Sequence, residues 1–135
     1  MKIYCGTDII EVERIQEAIE NTKEFKENIF SQNEIDDIDS IKCQMKYQRY
    51  AGRFAAKEAI YKAMSKILVE NNLNMSFLDV EIENVEDLRK RPRINILNPK
   101  IKEVIHDLDI EIDLSISHIK ENAIAMAVVK ANKEE

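Results

Sequence analysis

The sequence predicts an α+β fold in which an antiparallel sheet packs against one long helix and several shorter helices. Two patterns set this expectation. Ile110, Ile112, Leu114 and Ile116 alternate with polar residues up to His118, and an apolar segment, Ala123–Val129, returns after a short turn at Lys120-Glu121-Asn122. That is the signature of two neighbouring strands. The stretch from Lys42 to Val69 is rich in Ala, Met, Lys and Arg and is broken only by Gly52, so it reads as the dominant helix. Strands joined by short turns, with helices kept apart, favour an antiparallel arrangement.

The elements follow in order. Residues 2–8 read as a short strand with Ile3, Cys5 and Thr7 on one side. From Glu11 the spacing changes, and Val12, Ile15 and Ile19 place a helix to about Asn21. Ser31-Gln32-Asn33-Glu34 is a capping box, in which serine and glutamate each satisfy a free backbone N–H at a helix start. The long helix ends at the polar loop Glu70-Asn71-Asn72. Residues 78–84 alternate apolar and acidic side chains, as a half-buried strand does, and residues 93–97 give another short strand. Asn98-Pro99 opens a helix to about Leu108, with asparagine as cap and proline in the first turn.

Composition narrows the function classes. A chain of 135 residues with 44% apolar and 34% charged side chains suits one domain over 1–135, with a real core. No apolar run approaches the ~18 residues a membrane span needs, and the opening residues lack a cationic stretch followed by an apolar run. Cys5 and Cys43 have neither metal-ligand nor disulfide-framework spacing, so a reducing cytoplasm is the expected location. The net charge of −6 is uneven. Residues 1–41 hold four basic and eleven acidic side chains, whereas residues 42–66 hold seven basic (Lys42, Lys46, Arg49, Arg53, Lys57, Lys62, Lys66) and one acidic. This band reads as a solvated helix face or as a local anion site. A second basic knot is Arg89-Lys90-Arg91-Pro92-Arg93.

Two places carry charge where apolar residues are expected. Glu58 and Lys62 fall roughly 40° apart on a helical wheel, on the side of Tyr47, Ala51, Phe54 and Ala55. They form either an i,i+4 ion pair or the lining of a polar cavity that holds an ion or phosphate. Asp8 ends an apolar strand. It could cap the next helix, or join a carboxylate on a neighbouring helix to hold Mg²⁺, which takes one or two protein carboxylates and completes its octahedron with water and phosphate. The two histidines and scattered cysteines argue against zinc. Gly-rich phosphate loops, dinucleotide fingerprints and Ser-His-Asp signatures are missing.

With these residues in view, the chain resembles the bacterial holo-acyl-carrier-protein synthases, the small branch of the phosphopantetheinyl transferases. The resemblance rests on Gly6-Thr7-Asp8-Ile9-Ile10-Glu11-Val12-Glu13-Arg14-Ile15, on Ala51-Gly52-Arg53-Phe54-Ala55-Ala56-Lys57-Glu58-Ala59-Ile60-Tyr61-Lys62-Ala63, on Ile29-Phe30-Ser31-Gln32-Asn33-Glu34 and on Ser115-Ile116-Ser117-His118. It implies a Mg²⁺-dependent transfer of phosphopantetheine from coenzyme A to a serine of apo-acyl carrier protein. Asp8 and Glu58 would hold the metal, and Glu58 and Lys62 would be catalytic. Arg53, Lys62, His118 and Lys46 would bind coenzyme A, and Arg14 would contact the carrier protein. A homotrimer with sites between subunits is expected, with no nucleic-acid or membrane partner. The chain departs from the family in reading Ser65-Lys66-Ile67-Leu68 where relatives have glycines, and in lacking a Gly-x-Pro hairpin at 89–93. The competing classes are a coenzyme A or nucleotide binder without catalysis and a small RNA-binding module. The RNA module is disfavoured by the acidic balance and the lack of interleaved aromatics.

Overall fold

The computed structural model describes residues 1–84 and 91–134. In chain order the elements are β1 (Lys2–Glu11), α1 (Val12–Asn21), α2 (Phe25–Ile29), α3 (Gln32–Asp39), α4 (Met45–Glu70), β2 (Val80–Asn84), β3 (Pro92–Ile96), α5 (Pro99–Asp107), β4 (Ile110–His118) and β5 (Asn122–Ala131). The predicted α+β class holds, with one refinement. The described strands form two antiparallel sheets, β1-β5-β4 and β2-β3, rather than a single sheet. Arg89 and Lys90 of the basic knot lie outside the described residues.

The long helix α4 is the axis of the molecule. Gly52 does not interrupt it, and from Tyr50 to Ile60 only Phe54 and Glu58 escape full burial. A helix covered on nearly every side is a core helix, so the single apolar stripe expected from the wheel is replaced by contacts all round. Tyr50, Ile60 and Met64 are at most 1% exposed, and burying each such side chain contributes about 1.5–3 kcal/mol.

Small residues set how closely the sheet approaches α4. The inward face of β5 is Ala123, Ala125, Ala127, Val129 and Ala131, all buried. On β1 the inward residues are Tyr4, Gly6, Asp8 and Ile10, so the Ile3, Cys5 and Thr7 side faces outward. A Cβ on Gly6 would overlap the Ala59 carbonyl oxygen and lie 2.7 Å from Ala63 N. Strand and helix backbones therefore touch at this point.

Several boundaries differ from expectation for local reasons. β1 runs three residues past Asp8, because β5 offers pairing partners from Lys2↔Ala131 to Glu11↔Asn122. Asp8 pairs opposite Ala125 within the strand and does not cap α1, whose N-cap is Glu11 without a side-chain bond. The first residues of the 78–84 segment form a 3₁₀ turn, Phe77–Asp79, where Asp79 Oδ2 accepts from Ser76 N at 2.8 Å. The short helix α2 offers only one apolar pair at helical spacing, Phe25 and Ile29, and it starts after Glu24 at φ 67°. The capping box at Ser31 and Glu34 and the Asn98 cap are formed as expected.

Gly6→Ala is expected to lower stability by about 1–3 kcal/mol or more, because the obstructing atoms are helix backbone and cannot turn aside. Urea unfolding monitored by circular dichroism measures the loss.

Candidate active site

The contact at Gly6 places the residue two further along β1 against α4. Lys62 Nζ donates to Thr7 O at 2.9 Å and to Asp8 Oδ1 at 3.3 Å. Lys62 therefore reaches across to β1 and does not close the i,i+4 pair with Glu58. Its side chain is half exposed, whereas Asp8 is largely covered. Glu58 feels both partners. Burial first, then the Asp8 charge, pushes its carboxyl above the ordinary value of 4.5, and Lys62 pulls it down in part. Two carboxylates thus share one ammonium, which leaves one negative charge uncompensated in a partly desolvated place.

That arrangement fits Mg²⁺. The ion is content with one or two protein carboxylates when phosphates and water supply the remaining oxygens. Among the described residues no group of three or more His, Cys, Asp and Glu side chains converges as a ready-made metal cage. The pair Asp8 and Glu58 is therefore suited to a metal that arrives with an anionic substrate.

Beside Glu58 a chamber of about 280 Å³ opens, lined by Lys57, Glu58, Tyr61, Asn74, Met75, Ser76, Phe77 and Val80. A separate cleft of about 420 Å³ lies between α4 and β4 and includes Arg49, Gly52, Arg53, Asn84, Ile116 and His118. His118 ends β4 as expected. Its Nδ1 lies 2.8 Å from Gln48 Oε1. Burial and the Arg49 charge hold the imidazole below its ordinary 6.5. Arg53 is buried, with Nη2 on the Asp37 carboxylate and Nη1 donating to Glu34 O at 3.4 Å. The backbone makes room here too, since a Cβ on Gly52 would sit 3.0 Å from Ile116 Cγ2.

The basic band of the sequence does not form one surface. Lys57 is enclosed, donating to Ile29 O at 2.7 Å, Glu34 Oε1 at 2.7 Å and Phe77 O at 3.1 Å. Burial lowers its pKa, and the Glu34 carboxylate opposes that shift. Lys46 lies 5.2 Å from the Tyr47 ring centroid, outside the lining of the cleft. Only part of the band is thus available to an external anion.

Comparison with known proteins decides the family. The family model described as the 4′-phosphopantetheinyl transferase superfamily matches residues 4–129. The chain belongs to this superfamily. A holo-[acyl-carrier-protein] synthase of Ruminiclostridium cellulolyticum is 42% identical over 131 residues, covering 96% of this chain and 92% of that protein. One from Clostridium tetani is 36% identical over 130 residues, covering 96% and 97%. Among solved structures, the Bacillus anthracis holo-(acyl-carrier-protein) synthase in complex with CoA (3′,5′-ADP) aligns with a TM-score of 0.72 at 33% identity. It covers 93% of this chain and 94% of that one. The Helicobacter pylori holo-[acyl-carrier-protein] synthase in complex with coenzyme A gives 0.70 at 33%, covering 93% and 99%.

In this transferase fold, the residues singled out in the sequence fall into three groups. Asp8, Glu58 and Lys62 come together. Arg53 and His118 meet in the second cleft, which none of the first three lines. Arg14 is exposed on α1, near a groove of Glu13, Glu17, Glu20 and Glu121. Sequence reasoning gave Arg49 no role, although it lies one helical turn before Arg53. Its Nε is buried with no hydrogen-bond partner. The Glu34–Lys57 pair was also missed, because nothing in either segment says that they meet.

Glu58 gives a pH signature for the metal-free protein. Its folded pKa is raised, so the folded state holds the proton above the unfolded value and loses that stability as pH rises through the folded value. Stability of the Glu58→Gln variant is expected to lack this decline, as measured by denaturant titrations at a series of pH values in chelator.

Proposed function

We propose that this chain transfers the 4′-phosphopantetheine group of coenzyme A to a serine of apo-acyl carrier protein, with Mg²⁺, and so supports fatty acid biosynthesis. The observation that carries the reading is the meeting of Asp8 and Glu58 around Lys62, in a chain whose relatives are named for this activity. Coenzyme A in the solved relatives from Bacillus anthracis and Helicobacter pylori supports it as the donor here.

Asp8 and Glu58 would hold the divalent ion, which when bound would supply charge neutralisation of the pyrophosphate and polarisation of the phosphorus. The serine hydroxyl of the carrier attacks the phosphorus next to pantetheine. The new O–P bond forms as the bridging P–O bond breaks, and adenosine 3′,5′-bisphosphate leaves. Lys62, already an N–H donor at Thr7 O and Asp8, lies where it can stabilise the growing phosphate charge. Those two donated bonds turn its Nζ toward β1, which favours Glu58, directly or through a water, as acceptor of the serine proton.

Arg53, Arg49 and His118 form the anion-binding side, suited to the coenzyme's 3′-phosphate, with Lys46 as a more distant cation. Their cleft is separate from Asp8 and Glu58 in one chain, which supports a site completed by a second subunit in a homotrimer. The outward sheet face supports the same assembly, since Ile3, Ile9, Ile124 and Met126 are 62%, 65%, 46% and 49% exposed. Arg14 contributes carrier recognition from α1. A cytoplasmic, single-domain enzyme is consistent with its two free cysteines.

Incubation with coenzyme A, Mg²⁺ and an apo carrier, followed by intact mass, is expected to add one phosphopantetheine per carrier and to stop with chelator. Asp8→Ala and Glu58→Ala should each abolish transfer with the fold retained, and Lys62→Ala should lower kcat by about 10²–10³-fold. Full activity in both carboxylate variants would remove the metal assignment.

A further inference from the structure

The Ile29–Glu34 segment and Lys57 have no part in the chemistry described so far, yet they form a tightly enclosed polar cluster. Lys57 and Glu34 side chains are each 1% exposed. Glu34 Oε1 accepts from Lys57 Nζ and from Ser31 N at 2.9 Å, while Oε2 accepts from Ile82 N at 3.0 Å. Ser31 Oγ donates to Glu81 Oε2 at 2.6 Å, and Asn95 Nδ2 donates to Glu81 Oε1 at 3.2 Å. A buried ion pair is a poor way to gain stability, because desolvation offsets most of its attraction and an apolar pair often does better. What the pair supplies is direction. The ammonium bonds two carbonyls, Ile29 O at the end of α2 and Phe77 O in the turn before β2.

Phe77 belongs to the chamber beside Glu58, and Lys57 is both a lining residue and the immediate chain neighbour of Glu58. The Phe77 ring also stacks on Phe54 of α4 at 5.3 Å and 23°. Residues 74–77 therefore form a wall of the chamber that Glu58, a proposed metal ligand, also lines, and Met75 in the core, the Lys57 bond to Phe77 O and the ring contact hold it to α4. We propose that Glu34 and Lys57 are positioning residues for the transfer. They fix this wall, and through it they set how coenzyme A is held beside Asp8, Glu58 and Lys62. The inference rests on the transferase reading and adds a role for two residues that touch no reacting atom.

The test uses the full chain with coenzyme A, Mg²⁺ and apo carrier. Removing one charge alone would strand the other in the interior, so the informative variant is Glu34→Gln with Lys57→Met. Its one amide oxygen keeps an acceptor for either Ser31 N or Ile82 N, and Lys57→Met deletes the bond to Phe77 O. With cooperative unfolding retained, kcat/KM for coenzyme A is expected to fall by about ten-fold or more, as misplaced groups cost, with KM for the carrier unchanged. Hydrogen exchange on the unmutated protein gives a second readout, independent of whether the variant folds. Amides of residues 75–80 are expected to gain protection when coenzyme A and Mg²⁺ are added. A folded double variant with unchanged constants, or no change in exchange at 75–80, overturns the proposal. Absence of transfer by the unmutated protein would instead remove the transferase reading itself, and this inference with it.

Discussion

At Gly6 the backbone of β1 rests on α4 with no side chain between them, against the Ala59 carbonyl and the Ala63 amide. The same closeness extends along β5, where the inward face is almost entirely alanine. Only residues without bulk allow it, and the consequence is chemical as well as structural. Two residues beyond Gly6, Asp8 arrives within reach of Lys62 and inside the field of Glu58. A side chain at residue 6 would hold the strand back and carry Asp8 away from Lys62 and Glu58.

Charge is distributed in the interior by the same economy of space. α4 carries Arg53 and Lys57 inward, and each meets a carboxylate: Asp37 for the arginine, Glu34 for the lysine. Removing only Glu34 or only Lys57, a pair in which each side chain is 1% exposed, leaves an uncompensated buried charge, which typically costs about 3–5 kcal/mol. The pairs tie α3 to α4, and Glu34 extends the tie to β2 through Ile82 N. The small sheet is therefore fastened to the helix that carries Glu58 by polar links as well as by Val80 and Ile82 in the core. The arrangement separates the cations by task. Lys57 serves the frame, Arg53 both ties α3 to α4 and borders the second cleft with Arg49 and His118, and Lys62 reaches Asp8 on β1.

Much of this was legible along the chain. Alternation fixed β4 and β5, the capping box placed α3, and Asn98-Pro99 placed α5. Glu58 and Lys62 stood out because charges broke an apolar pattern. The spacing leaves open a helical pair or a cavity lining; Glu58 lines a chamber, and the partner of Lys62 is fifty-four residues away in the sequence, on β1. The basic band was read as one feature, because periodicity cannot say which lysines find a carboxylate inside. α2, five residues with one apolar pair, is too short to show a repeat, and the division into two sheets could not be read because pairing partners are chosen in space.

Local chemistry, written residue by residue, was enough to determine the helices' caps, the alternation of the strands and the family motifs, since each depends on neighbours within a few positions. Tertiary structure alone decided that Asp8 faces α4, that Glu34 neutralises Lys57, and that Arg53 and His118 share a cleft apart from Glu58. Those are contacts between segments whose separation in the chain carries no information about distance. Folding brings them together by burying apolar surface, and the polar groups then pair with whatever that burial has placed beside them.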